Sequence, residues 1–85
     1  MKAFNYTIKD AIGIHASPAG LLAKEAKKYS SMVVLKTEAK SAEATKLMAV
    51  MSLGVKCGQT IEVTVEGADE DTAFEGIKAF FEQNL

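Results

Sequence analysis

Apolar and polar residues alternate along two stretches of the chain, and a period of two predicts β-strands with one buried face. The apolar positions are Phe4, Tyr6 and Ile8 in residues 3–8 and Ile61, Val63 and Val65 in residues 60–66. Residues 32–36 form a short apolar run typical of a further strand, and residues 40–43 predict a short strand after it. Four strands are therefore expected.

Three other stretches place apolar residues at helical spacing. Residues 16–28 are rich in alanine and leucine, and Ala19, Leu22, Ala26 and Tyr29 recur at helical spacing. Residues 47–53 are a short apolar segment, for which one or two helical turns are expected. We expect Asp69 to cap a last helix. The core stripe of that helix is predicted to be Ala73, Ile77 and Phe80, with Phe74 and Phe81 beside it.

The element order is strand, helix, strand, strand, helix, strand, helix (βαββαβα). Because the alternating strands have one polar face, one side of the sheet should meet water while the helices cover the other. This predicts the α+β class, as a two-layer open-faced sandwich. A length of 85 residues fits one domain, spanning residues 1–85.

Composition excludes several classes of function. The formal net charge is −1 with both signs interspersed, which argues against nucleic acid as a partner. No apolar stretch approaches the roughly 18 residues of a membrane span, and the first residues do not resemble a signal peptide. Cys57 is the only cysteine, so we expect no internal disulfide, and with no histidine near it we expect no metal site. Together with the two preceding features, the lone cysteine favours a cytoplasmic location. All ten basic residues are lysine, and no site can use a guanidinium group.

The segment around the only histidine carries the strongest chemical signal. Pro18 fits only the first turn of a helix, so the helix should begin near residue 16 with His15 at or next to its N-cap. The first N–H groups of a helix are free, and its positive dipole end attracts anions. His15 could therefore act as a nucleophile beside free N–H groups that bind the oxygen atoms of an anion. The alternative is a histidine that only caps the helix or packs against it.

At these residues the chain resembles a known family. Residues 13–19, Gly-Ile-His-Ala-Ser-Pro-Ala, resemble the segment Gly-Ile-His-Ala-Arg-Pro-Ala of HPr, the histidine-containing phosphocarrier of the sugar phosphotransferase system. Residues 47–54, Leu-Met-Ala-Val-Met-Ser-Leu-Gly, are similar to the second HPr signature, and residues 67–70 also match. The resemblance covers essentially the whole chain.

This resemblance implies a four-stranded antiparallel sheet covered on one face by three helices. It implies that His15 accepts a phosphoryl group on Nδ1 from phospho-enzyme I and passes it to IIA domains. The phosphate would lie against Ala16, Ser17 and Pro18 at the helix N-terminus. Such a protein is a carrier and not an enzyme, needs no cofactor, and is by default a monomer. A catalytic phosphotransferase fragment is an alternative that the short length disfavours.

Two positions depart from the family pattern. Ser17 stands where the motif has an arginine that helps to neutralise the phosphoryl group, so a slower transfer is expected. Lys24 or Lys27 is too far along the helix to replace that charge easily. Lys46 stands where Gram-positive relatives carry a regulatory serine, and a lysine cannot accept that phosphorylation. The competing hypothesis is a regulatory interaction module with weak or no transfer.

Residues 47–51 are apolar on every side, so a two-layer fold cannot bury them all. An exposed apolar patch usually marks a docking site, and methionine adapts to varied partners. The resemblance places the docking surface on Leu47, Met48 and Met51, with Gly20 and Lys24 on the first helix. Val50 and Leu53 are expected in the core.

Overall fold

The computed structural model describes all residues from Met1 to Leu85. Its elements are β1 (Lys2–Thr7), α1 (Ala16–Ala26), β2 (Met32–Lys36), β3 (Ser41–Glu43), α2 (Leu47–Ser52), β4 (Thr60–Glu66) and α3 (Glu70–Asn84). The predicted order is confirmed. Helix α1 ends two residues earlier than predicted, because Lys28 and Tyr29 donate to the carbonyls three residues before them and tighten the chain into a turn. No helix has both the length and the apolar character that a membrane crossing requires.

The four strands form one antiparallel sheet in the order β1-β4-β2-β3. Strand β4 lies between β1 and β2, with Val63 opposite Phe4 on one side and Leu35 on the other. The three helices cover one face, and the core lies between the two layers. The predicted open-faced sandwich is confirmed.

The core stripe of α3 differs from the prediction at one position. Phe81 is fully buried, whereas Phe80 is only partly buried. Ala73, Ile77 and Phe81 follow one another at intervals of four residues and so share a face, while residue 80 is rotated away. Phe81 packs edge-on against two rings of β1, with ring centroids 5.9 Å from Phe4 and 5.4 Å from Tyr6.

The open face of the sheet is mostly polar, although Met32 on β2 is also exposed there. Thr64 points to this outer face as predicted, yet only 7% of it is exposed. Its neighbours across the sheet are Ala3 on β1 and Val34 on β2, and these shield it from water. The alternating pattern therefore predicts the direction of this side chain but not its burial.

Asp69 occupies the N-cap position of α3, but its carboxylate does not cap the helix. It accepts hydrogen bonds from the Ser30 and Ser31 N–H groups, each at 2.9 Å, and from the Ser31 hydroxyl. These bonds lower the pKa of the Asp69 carboxyl below its ordinary value near 3.8, the Ser31 hydroxyl contributing most. The predicted N-cap position is confirmed, but the expected capping hydrogen bond is absent, because the carboxylate instead ties the α1–β2 connection to the start of α3.

The Asp69 carboxylate makes the folding stability of the protein depend on pH. Because the folded pKa of Asp69 is depressed, its contribution is fully present above the ordinary pKa and is lost as the pH falls through the folded value. We expect Asp69→Asn to lower the melting temperature at pH 7 by several degrees and to flatten its decline below pH 4. Thermal unfolding across this pH range measures both effects.

Asp71→Asn is the matched control for this prediction. Asp71 follows Asp69 by two residues, takes no part in the bonds to Ser30 and Ser31, and pairs with Lys2 at 3.1 Å on the surface. Exposed ion pairs contribute little to stability. Equal melting temperatures of the two variants at pH 7 would contradict the role assigned to Asp69.

Candidate functional site

His15 is the N-cap residue of α1, as predicted, but its side chain does not cap the helix. Its backbone is extended, with φ −117° and ψ −174°, and its ring makes no capping hydrogen bond. About a third of the side chain, 35%, is exposed. The capping alternative is therefore wrong, and a ring this exposed is available to a partner.

The start of α1 presents free donors beside this ring. Neither the Ala16 nor the Ser17 N–H has a hydrogen-bond acceptor in the protein. The first helical hydrogen bond runs from the Ala19 N–H to the His15 carbonyl at 2.9 Å. Pro18 is buried and has no N–H, so it shapes the first turn without donating. Two amides at the positive end of the helix dipole can thus bind an anion next to His15.

The loop that carries His15 is fixed against the segment that follows α2. Gly13 adopts φ +85°, a left-handed conformation that favours glycine. The Ile14 N–H donates to the Val55 carbonyl at 3.0 Å, and the Gly58 N–H donates to the Ile8 carbonyl at 2.8 Å. These bonds set the position of His15 relative to the end of α2.

Asp10 is a site residue that the sequence analysis missed. Its Oδ1 atom lies 3.8 Å from His15 Nε2, and the same atom accepts the Ile12 N–H at 2.9 Å. The only feature of the sequence that could have indicated Asp10 is its position, five residues before the only histidine and in the same loop. No periodicity marks such a residue, because the loop has no repeating conformation.

The predicted docking residues differ in exposure. Met48 is 74% exposed and Leu47 is 38% exposed, while Met51 is partly buried and packs against the core. Val50 is fully buried as expected, and Leu53 is partly buried. Helix α2 therefore presents its first turn to solvent and anchors its remainder through Val50.

Helices α1 and α2 pack against each other, so the other predicted docking residues belong to a neighbouring helix. On α1, Lys24 is exposed and Gly20 is partly buried. Ile12, in the loop before His15, is 69% exposed and was not predicted. Exposed apolar side chains therefore occur both in the His15 loop and on α2.

The two departures from the family motif both lie on the surface. Ser17 is exposed and its hydroxyl has no hydrogen-bond partner in the protein. Lys24 follows it seven residues later, a rise of about 10 Å along the helix axis. Lys46 is the N-cap residue of α2, and its Nζ pairs with Glu43 at 2.9 Å. The site thus combines a ring, two amides and a hydroxyl without an adjoining arginine.

Comparison with solved structures places this architecture among the histidine-containing phosphocarriers. A mycoplasma histidine-containing phosphocarrier protein superposes with a TM-score of 0.93 at 35% sequence identity, covering 96% of this chain and 93% of that chain. Residues 2–83 match the family model described as the PTS HPr component phosphorylation site. The chain belongs to this HPr family of the phosphotransferase system.

Curated relatives agree with this assignment. The phosphocarrier protein HPr of Lysinibacillus sphaericus is 40% identical over 77 residues, which cover 91% of this chain and 88% of that protein. The HPr-like protein Crh of Halalkalibacterium halodurans is 36% identical over 76 residues, which cover 89% of this chain and 90% of that protein. The chain is thus similar both to HPr and to an HPr-like protein.

Proposed function

We propose that the protein is a phosphocarrier in which His15 accepts a phosphoryl group from phospho-enzyme I and passes it to IIA domains. The observation that carries the proposal is the arrangement at the start of α1. A partly exposed imidazole that makes no capping bond adjoins two backbone amides without acceptors. A nucleophile and an anion-binding element are thereby combined in consecutive residues.

The transfer step follows from this arrangement. The Nδ1 lone pair of His15 attacks the phosphorus atom, and a bond between Nδ1 and phosphorus forms. The bond between phosphorus and the donor atom breaks, and its electron pair leaves with the donor. The Ala16 and Ser17 amides then donate to the phosphoryl oxygens. Onward transfer reverses these events, with a nucleophile of the acceptor attacking the phosphorus.

Ser17 provides a neutral donor for the same group. Its hydroxyl is exposed and has no hydrogen-bond partner in the protein, so it is available to a phosphoryl oxygen. A hydrogen bond from a charged donor is roughly twice as strong as one from a neutral donor. The phosphoryl group on His15 is therefore less stabilised here than beside the arginine of the family motif.

Partner docking is assigned to the exposed residues around the site. Leu47 and Met48 offer an apolar surface on α2, which Met51 extends, and Gly20 and Lys24 border it on α1. An apolar patch with a flexible methionine suits successive partners of different shape. Enzyme I and the IIA domains can then use one surface in turn, since each needs access to His15.

An intact-mass time course with phosphoenolpyruvate and enzyme I tests the proposal. We expect the wild-type chain to gain one acid-labile phosphoryl group and His15→Ala to gain none. Because the His15 ring is partly exposed and makes no hydrogen bond within the protein, the alanine variant should keep its fold. Amide NMR spectra of both proteins check this.

The regulatory alternative predicts a different result. A Crh relative and the absence of the motif arginine both favour a docking protein with weak transfer. In that case the wild-type chain would gain little or no phosphoryl group, although the same enzyme I sample phosphorylates another HPr. Binding of the wild-type chain to enzyme I without transfer would then identify it as an interaction module.

A further inference from the structure

We infer that Asp10 is a positioning residue that holds the His15 ring with Nε2 toward the carboxylate and leaves Nδ1 as the free nucleophile. This inference rests on the proposed function, because it explains how one of two ring nitrogens is selected. It starts from a single juxtaposition, the 3.8 Å between Asp10 Oδ1 and His15 Nε2. Asp10 provides the only carboxylate within ion-pair distance of the ring.

Asp10 is held in place by its own backbone and side chain. Its N–H donates to the Leu85 carbonyl at 2.9 Å, and its carbonyl accepts the Gly13 N–H at 3.0 Å. Its Oδ1 accepts the Ile12 N–H at 2.9 Å. The carboxylate is also largely shielded, with 28% of the side chain exposed. Two backbone hydrogen bonds fix the residue and one hydrogen bond fixes its carboxylate, so the carboxylate has a defined position relative to the ring.

The position of the Asp10 carboxylate determines which nitrogen of the His15 ring carries the proton. A neutral imidazole carries one proton, on either Nδ1 or Nε2, and the unprotonated nitrogen is the nucleophile. An acceptor facing Nε2 favours the proton on Nε2, which frees the Nδ1 lone pair. When Nδ1 gains a phosphoryl group, the ring becomes more positive and its Nε2–H a stronger donor. The carboxylate then stabilises the product of the transfer.

The resting distance fits this role. At 3.8 Å the two atoms are beyond direct hydrogen-bond length but within reach of an ion pair. Hydrogen bonds of catalytic groups are often long in the free protein and shorten in the complex. No other side chain of the protein makes a hydrogen bond or ion pair with the ring. The ring therefore has one polar partner, and that partner faces Nε2.

Asp10→Asn tests the inference by two independent measurements. The asparagine keeps an oxygen for the Ile12 N–H, so the loop should fold, and it removes the negative charge. We expect ¹⁵N NMR of the unphosphorylated protein to show mostly the Nε2–H tautomer in the wild type and a lower share of it in the variant. The rate of phosphorylation by enzyme I should fall about ten-fold, the effect of roughly 1.4 kcal/mol.

Asp71→Asn serves as the control, since it removes an exposed carboxylate that pairs with Lys2. It should leave both the tautomer and the rate unchanged. An unchanged His15 tautomer in Asp10→Asn would overturn the inference even if the rate fell, because a structural defect alone could slow transfer. A shifted tautomer supports it even if enzyme I phosphorylates neither protein, and that last result would count only against the proposed function.

Discussion

Replacing Ser17 with arginine should raise the rate at which enzyme I phosphorylates His15 by about ten-fold. A hydrogen bond from a charged donor is roughly twice as strong as a neutral one, and a difference of about 1.4 kcal/mol corresponds to a factor of ten. Ser17 is exposed and its hydroxyl has no partner, so an arginine can be accommodated without disturbing packing. Steady-state kinetics with the protein as the varied substrate measure the change.

Three further variants separate charge from size at this position. Ser17→Gln adds length without charge and should not exceed the wild-type rate. Ser17→Lys adds a charge without the planar fork of arginine and should fall between glutamine and arginine. Ser17→Ala removes the only side-chain donor and should be slower than the wild type. An arginine variant no faster than the wild type would show that the missing charge does not limit transfer.

The largest loss of stability is expected from Gly13→Ala. The residue adopts φ +85°, and an added Cβ would lie 2.7 Å from Lys56 Cα and closer still to the Val55 carbonyl oxygen. Left-handed strain costs about 1–3 kcal/mol in a residue other than glycine. Because the obstacle is backbone, the loop must also move away from the end of α2, and we expect a total of about 3 kcal/mol or more.

Gly58→Ala is the matched control for the Gly13 prediction. Gly58 has nearly the same φ, +89°, but nothing lies within 4 Å of an added Cβ. Its substitution should therefore show the backbone strain alone, about 1 kcal/mol. Urea unfolding of both variants gives the comparison. Equal losses would mean that the approach of Gly13 to residues 55–56 is unimportant for the fold.

Gly13→Ala should also slow phosphoryl transfer, whereas Gly58→Ala should not. The Ile14 N–H bond to Val55 fixes the His15 loop to the segment after α2, and α2 carries the proposed docking residues. A displaced loop changes the distance between the ring and the docking surface. Transfer rates measured below the unfolding transition distinguish this effect from a loss of folded protein.

Much of the fold follows from residue periodicity. The period of two in residues 60–66 gives both the strand and its buried face, because Ile61, Val63 and Val65 are all buried. The position of Pro18 gives the start of α1, because proline fits only the first turn. These features depend on neighbouring residues, so a local pattern suffices to predict them.

Other features depend on which elements meet in space. The burial of Thr64 follows from its two neighbouring strands, and the role of Asp69 follows from the packing of the α1–β2 turn on α3. Neither contact has a signal in the local sequence. The sequence predicts the N-cap position of Asp69 correctly, but its carboxylate accepts hydrogen bonds from Ser30 and Ser31 and not from the first turn of α3.

Some features of the candidate site also follow from the local sequence, and others depend on tertiary structure. His15 and its free amides follow from the sequence, since one helix start determines both. The approach of Asp10 to the ring depends on how the loop folds back, with its backbone bonded to Leu85 and Gly13. The structure therefore adds the polar partner of the ring, which no motif indicates.

NMR of the protein labelled with ¹⁵N and phosphorylated by enzyme I tests the central claim most directly. We predict a phosphorus–nitrogen coupling to Nδ1 of His15 together with large shifts of the Ala16 and Ser17 amide signals, as expected for new hydrogen bonds to the phosphoryl oxygens. A phosphoryl group found on another residue, or no phosphorylation by an active enzyme I, would contradict the claim that this protein carries phosphate on His15.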